Sequence, residues 1–70
     1  MAYTVLSFDV VERGEVSTSE IERLALDMWQ ALSAGRADAS PRPRWVDSGP
    51  VDGADAYVAH RFVGTIDTDS

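Results

Sequence analysis

The chain contains no cysteine and one histidine, His60, and this limits how its 70 residues can be stabilised. A domain of this size hides only about 60% of its unfolded surface, so its core alone rarely contributes more than about 3–5 kcal/mol. Small domains usually add disulfides, a metal ion or a partner subunit. The composition excludes disulfides, thiolate metal sites and a multi-histidine site within one chain. We therefore expect a partner subunit to supplement the core.

The chain has an excess of acidic residues: twelve acidic residues and six arginines give a formal net charge of -6. Phosphate backbones repel such a chain, so sequence-independent binding of nucleic acid is not expected. Lysine and asparagine are absent while alanine, aspartate and arginine are abundant, which is typical of a GC-rich host or of a virus of such a host. No basic, apolar leader begins the chain and no apolar run approaches about 18 residues, so we expect a cytoplasmic or virion-associated protein without membrane contact.

The residue pattern predicts an α+β fold, a small single domain over 1–70 with the order β-α-β-β and one helix packed on a three-stranded sheet. The predicted segments are a strand over about 3–11, a helix over about 18–34, a Pro/Arg loop over 36–43, a hairpin over about 44–66 and a frayed tail over 67–70. The right-handed crossover rule allows the first strand to lie parallel to one member of the hairpin.

The strongest local signal is the start of the helix. Ser17-Thr18-Ser19-Glu20 matches a capping box, in which the Ser17 hydroxyl accepts a backbone N–H and the Glu20 side chain reaches back. Gly35 is placed to end the helix. Apolar spacing predicts that the helix packs on the sheet through the stripe Ile21, Leu24, Ala25, Met28 and Leu32.

The hairpin prediction depends on Asp52-Gly53, a dipeptide that strongly favours a two-residue turn. Such a turn would place Trp45 opposite His60 and Asp47 opposite Val58.

Both faces of the last strand are apolar, although one helix can cover only one of them. The residues Val58, Phe62 and Ile66 alternate with Tyr57, Ala59 and Val63. A sheet with one solvated face should instead alternate apolar and polar side chains. The uncovered apolar side chains therefore predict an interface with a protein partner or a second copy.

The candidate interface residues combine aromatic, apolar and basic side chains: Trp45, Tyr57, Val63, Arg36, Arg42 and Arg44. The three arginines, stiffened by neighbouring prolines, could bind an acidic partner or the acidic helix face of a neighbouring copy. The alternative is a solvated linker. Trp45, like Trp29, is either an interface anchor or an ordinary core residue, and Trp45 could also stack a planar ligand.

No catalytic, cofactor or metal site is expected. Asp47-Ser48-Gly49 follows Trp45-Val46 as in the aspartic-protease signature, but the chain is too short for that fold, and a turn at the end of a strand explains the motif. The acids that could ligate calcium lack the order of a calcium loop; they are Asp47, Asp52, Asp55, Asp67 and Asp69. The predicted register offers His60 only Asp47 as a nearby acid. A packed or interfacial histidine is therefore expected, with a pH-responsive contact as the alternative.

In topology and length the predicted elements resemble the dodecins, small flavin-storing proteins of strand, helix and hairpin that assemble into hollow dodecamers. A tryptophan early in the second strand of that family stacks the flavin ring, and Trp45 occupies the comparable place. The Pro-rich connection is longer and the hairpin shorter than in that family. The first strand and helix also resemble the small tautomerases, whose base is an N-terminal proline; Ala2 stands there, so their chemistry is not implied.

These observations predict a non-enzymatic module for protein–protein assembly, which self-associates as a homo-oligomer or docks on a larger partner such as a phage or virus particle. One alternative is a small-ligand carrier of the flavin type with a dodecin-like shell, using Trp45. The second alternative is an acidic inhibitor that mimics nucleic acid. The leading interpretation requires no cofactor, nucleic acid or membrane.

Overall fold

The computed structural model describes residues 3–36 and 38–67. Its elements are β1 (Tyr3–Arg13), α1 (Thr18–Leu32), β2 (Arg44–Val51) and β3 (Ala54–Asp67). The strands form an antiparallel sheet in the order β1-β3-β2, and α1 packs on one face of it. The predicted α+β fold is confirmed. The first strand is parallel to β2, as the crossover rule allows, but β3 lies between them and pairs with both.

The predicted end of the chain needs one correction. Asp67 belongs to β3, where it lies opposite Tyr3, rather than to a frayed tail. The other residues of that tail, 68–70, lie outside the described residues.

The start of α1 follows from local chemistry. The Ser17 hydroxyl accepts a hydrogen bond from the Glu20 backbone N–H at 3.3 Å, which satisfies one of the free donors of the first turn. Val16 packs against the core cluster just before the cap. The Glu20 carboxylate accepts from Arg23 at 2.9 Å instead of reaching back. Only the serine half of the predicted capping box is therefore formed.

The buried stripe of α1 differs from the predicted one. Ile21, Ala25 and Trp29 are buried, whereas the predicted core residues Leu24, Met28 and Leu32 are exposed. The helix is rotated so that the Trp29 indole lies over Gly64 of β3, where a Cβ atom would overlap the ring. The indole also stacks near Phe8 with ring centroids 6.4 Å apart. Because Gly64 has no side chain, the Trp29 ring can pack against its backbone, and the flank of the helix that carries Trp29 is the one that is buried.

The Pro/Arg loop before β2 is anchored to the end of β3. The Ser40 N–H donates to the Thr65 carbonyl at 2.9 Å, and the Asp67 N–H donates to the Asp38 carbonyl at 2.7 Å. The Trp29 indole N–H donates to the Ser40 carbonyl at 2.8 Å. The two backbone bonds satisfy groups of β3 that lie past the start of β2 and so have no partner there. The indole bond connects the loop to the core.

The predicted pairing across the hairpin is wrong because the β2–β3 ladder is irregular at two points. The turn does form at Asp52-Gly53, with a Gly53 φ of 77°. However, one irregularity after Pro50 and another around Val46 shift the register. As a result, Trp45 lies opposite Phe62, and Asp47 lies opposite Arg61.

The helix covers only part of its face of the sheet. A helix of 15 residues is about 22 Å long, roughly half of the 42 Å long axis of the described chain. The opposite face of the sheet is covered by no element among residues 3–36 and 38–67. The fold therefore leaves exposed surface on both faces.

Candidate functional site

The uncovered face of the sheet has an exposed valine on each side of a charged centre. Near its two ends lie Val5 and Val11, which are 66% and 55% exposed. In the centre, the Arg61 guanidinium contacts the Asp9 carboxylate at 3.3 Å, and Asp47 lies opposite Arg61 on the other side. This exposed ion pair adds little to folding stability, but Asp9, Arg61 and Asp47 together give the centre of the face a row of alternating charge.

One end of this face is acidic. The Asp38 carboxylate, followed by partial desolvation and the Asp67 carboxylate, raises the pKa of the Tyr3 hydroxyl. At the opposite end of β1, the Arg13 guanidinium lies 5.9 Å from the centre of the Tyr57 ring. The ends of β1 therefore differ in charge.

The exposed flank of α1 consists of Leu24, Met28 and Leu32, which are 39%, 40% and 46% exposed. They recur every four residues, so they form one row along the helix. Leu26, on the opposite flank, lines a groove beside β2. Ala25 faces the sheet, and it lies between Leu24 on one flank of the helix and Leu26 on the other. Since the Leu26 flank is beside β2, the row that begins at Leu24 points toward the β1 side of the molecule.

The outer edge of β1 is regular, and no described strand lies beside it from Thr4 to Arg13. All eleven residues of β1 pair with β3 without a register shift, and no other described residue pairs with β1. The other edge strand, β2, is interrupted by Pro50 and by the irregularity at Val46. Prolines and bulges block pairing with a further strand, so β2 is a protected edge and β1 is not.

A groove of about 440 Å³ separates α1 from β2. Its wall includes Trp45, whose ring lies 5.3 Å from the Phe62 ring. The helix supplies Leu26 and Arg23, and the loop supplies Arg42. The full lining is Ser19, Glu22, Arg23, Leu26, Arg42, Pro43, Trp45 and Phe62. This combination offers an apolar surface with cations beside it.

A chain of hydrogen bonds crosses the sheet from Trp45, which lines this groove, to Glu12 of β1. The Trp45 indole N–H donates to the Ser48 hydroxyl at 2.8 Å, and that oxygen lies 2.7 Å from His60 Nδ1. His60 Nε2 lies 3.4 Å from Glu12 Oε1. The Ser48 oxygen accepts from the indole, so its own O–H is free to donate a hydrogen bond to Nδ1. In that arrangement the proton of the His60 ring is on Nε2, which donates to Glu12. The other carboxylate oxygen, Glu12 Oε2, is buried without a hydrogen-bond partner.

This network corrects the prediction for His60. The nearby acid is Glu12 of β1, not Asp47, because β3 pairs with β1 as well as with β2. Glu12 lies opposite Val58, one diagonal step from His60 on the same face. Sequence reasoning missed it because β1 was not assigned a partner strand.

The predicted interface residues fall into separate regions. Trp45 and Arg42 line the groove on the helix side. Val63 lies half-buried on the other face, opposite Arg44. Tyr57 is exposed near the hairpin, and Arg36 is exposed just after α1. The structure thus brings together two pairs of the six residues, and the exposed helix flank and the β1 edge were not among the predicted sites.

No protein-family model, curated protein or solved structure matches this chain. Within residues 3–36 and 38–67, no three His, Asp or Glu side chains cluster closely enough to hold a metal ion. Ala2 and Asp69 lie outside those ranges. The helix that the structure describes is too short and too polar to cross a bilayer.

Proposed function

We propose that this protein is a non-enzymatic assembly module that associates with further copies of itself. The observation that carries the proposal is the exposed row Leu24, Met28 and Leu32 on α1. Three long apolar side chains in one row form a contiguous patch, and such patches mark protein interfaces. Because about two fifths of each side chain is still exposed, burying the rest contributes roughly 1 kcal/mol per residue, and the row occurs in both copies.

The small core supports the same proposal. The buried apolar residues of the described chain are Val10, Ile21, Ala25, Trp29, Phe62 and Ile66. The chain has no cysteine with which to form a disulfide. Burial of the exposed flank against a second copy would extend this core across the interface, as in obligate homodimers.

Self-association must overcome the net charge of -6 on each copy. Repulsion between two such copies weakens as the Debye length falls from about 10 Å at 0.1 M salt to about 3 Å at 1 M. Association through apolar surface should therefore strengthen with added salt. Docking on a basic partner would show the opposite dependence.

The first prediction concerns the helix flank. The wild-type protein is expected to sediment at a multiple of its 7.6 kDa chain mass, and L24E/M28E is expected to sediment as a monomer. Two carboxylates in the flank would have to be desolvated on association. Sedimentation velocity over a range of concentrations measures the change.

The matched control is Q30E, which places a carboxylate on an exposed position of α1 away from the flank. It should assemble like the wild type. Circular dichroism checks that the variants keep the helix. A wild-type protein that sediments as a monomer at every concentration and salt would contradict the proposal.

The groove beside Trp45 favours a second candidate function, the binding of a planar anionic ligand of the flavin type. Its volume of about 440 Å³ lies within the usual range of about 300–1,000 Å³ for ligand sites. The Trp45 ring provides a stacking surface, and Arg42 lies beside it to attract an anion, whereas Arg23 is paired with Glu20.

Titration with flavin mononucleotide tests this candidate. Binding is expected to quench the fluorescence of Trp45 and to be lost in W45L. Trp29 remains in that variant as a buried internal reference. Equal fluorescence changes in wild type and W45L would exclude a stacked ligand at Trp45.

A further inference from the structure

We propose that two copies join edge to edge through β1, antiparallel and with Phe8 opposite Phe8 of the second copy. The result is one continuous sheet of six strands, three from each copy, with both helices on the same face. This inference rests on the proposed self-association and specifies its surface, its symmetry and its register.

The choice of β1 follows from the contrast between the two sheet edges. Every second residue of an edge strand directs its backbone N–H and C=O away from the sheet, and a further strand can bind them. β1 is regular over Tyr3–Arg13 and contains no proline. The β2 edge carries Pro50 and an irregular register at Val46. A second copy can therefore extend the sheet at β1 but not at β2.

The register follows from the sequence of β1 itself. A two-fold axis perpendicular to the sheet keeps each residue on its own face and must pass through one residue position. Centred on Phe8, the opposing pairs are Tyr3 with Arg13, Thr4 with Glu12, Val5 with Val11, Leu6 with Val10, Ser7 with Asp9, and Phe8 with Phe8. Apolar residues oppose apolar residues in these pairs, and no two like charges meet.

Neighbouring registers lose this match. Centring the axis on Asp9 places Asp9 opposite Asp9 of the second copy, and like charges directly opposite each other are destabilising. Centring it on Ser7 places Asp9 opposite Val5. The Phe8 register is also the one that uses the full length of β1.

The position of α1 fits the same arrangement. The helix packs on β1 and β3, so its axis lies about half a strand spacing inside β1. Across a β1–β1 junction the two axes would be about two strand spacings apart, roughly 9.6 Å. Packed helices lie about 8–10 Å apart. The exposed rows of Leu24, Met28 and Leu32 face this junction and would pack against each other.

The ends of β1 are complementary in charge. In the Phe8 register, Arg13 of one copy lies beside Tyr3 of the other, where Asp38 and Asp67 are close to the tyrosine. An arginine there would be attracted to both carboxylates. Each dimer gains this contact twice, which offsets part of the repulsion between two acidic chains.

A charge-pair experiment tests the register. Val5 and Val11 are exposed in the single chain, so substitutions there do not disturb its core. V5K and V11D are each expected to raise the dimer dissociation constant severalfold, because each dimer loses two cross-strand pairs of valines. The double variant V5K/V11D should restore dimerisation to near the wild-type constant, because Lys at one position then faces Asp in the second copy.

The matched control is V5K/V11K, which opposes like charges and should sediment as a monomer. The two positions lie six residues apart along one strand, about 20 Å, so a lysine and an aspartate there cannot pair within one copy. Recovery in V5K/V11D beyond the level of both single variants therefore reports pairing between copies.

The outcomes separate this inference from the proposed function. Assembly of the wild type together with unchanged assembly of V5K/V11K would overturn the β1 junction while self-association stands. Failure of V5K/V11D to recover dimerisation lost in the single variants would overturn the Phe8 register. A monomeric wild type would overturn both and leave the β1 edge to a strand of another protein.

Discussion

Replacing Gly64 by alanine is expected to lower the free energy of unfolding by about 1–3 kcal/mol, the usual cost of overpacking a core. A Cβ atom at this position would lie 2.6 Å from Cζ2 of the Trp29 indole. The ring cannot withdraw easily, because its N–H is bonded to the Ser40 carbonyl at 2.8 Å and its face lies near Phe8. Urea denaturation followed by circular dichroism measures the loss.

Trp29→Ala tests the same contact from the helix side and should have the larger effect. Truncation of a buried tryptophan costs about 3–5 kcal/mol, which is comparable with the whole stability that a core of this size supplies. The variant is therefore expected to be unfolded, or to fold only at concentrations where the protein assembles.

The control for both variants is Gly49→Ala. Gly49 has an ordinary backbone conformation, and a Cβ atom built there meets nothing within 4 Å. Its stability should stay close to that of the wild type. Equal stability of the Gly64 and Gly49 variants would show that the indole does not occupy this position.

The sequence predicts the elements well because their signals are local. Ser17 marks the start of α1 as a hydrogen-bonding cap, and the alternation along residues 3–11 identifies β1 and both of its faces. The Asp52-Gly53 turn identifies the hairpin. Each of these signals needs only a few neighbouring residues, so it can be interpreted without knowledge of the rest of the fold.

The buried flank of α1 could not be predicted in the same way. Ile21, Ala25 and Trp29 form one apolar row, and the row that begins at Leu24 is equally apolar. Amphipathic spacing indicates that this side of the helix is apolar, but it does not choose between two adjacent rows. The choice depends on Gly64, far along the chain, where the absence of a side chain admits the indole.

The candidate sites show the same limit. The aromatic and basic residues near β2 are visible in the sequence, yet Arg44 and Trp45 lie on opposite faces of the sheet. The irregularity at Val46, which helps to set their pairing, has no clear sequence signal, whereas Pro50 marks the other one. The unpaired edge of β1 becomes evident only once β3 is known to be the central strand.

The buried pair Glu12 and His60 should have the second large effect on stability. His60→Leu is expected to cost about 1–3 kcal/mol, the usual cost of leaving a buried polar group without its hydrogen-bond partner, and more where that group is charged. The side chains of His60 and Glu12 are 9% and 11% exposed, so water can replace little of the lost contact. Glu12 Oε2 already has no partner in the network, and without His60 neither carboxylate oxygen would have one.

The double variant E12L/H60L makes the prediction specific. Two apolar side chains need no hydrogen bonds, and replacing a buried polar pair by apolar residues is often neutral or stabilising. The double variant should therefore be more stable than H60L, although it carries one more substitution. The Ser48 hydroxyl loses its hydrogen bond to His60 in both variants. Because Ser48 is exposed, a water molecule can replace His60 as its partner. A double-mutant cycle in urea measures the coupling energy, and strictly additive losses would mean that Glu12 and His60 do not interact. A strong coupling energy would show instead that His60 stabilises the fold by donating a hydrogen bond to the largely buried Glu12 carboxylate of β1.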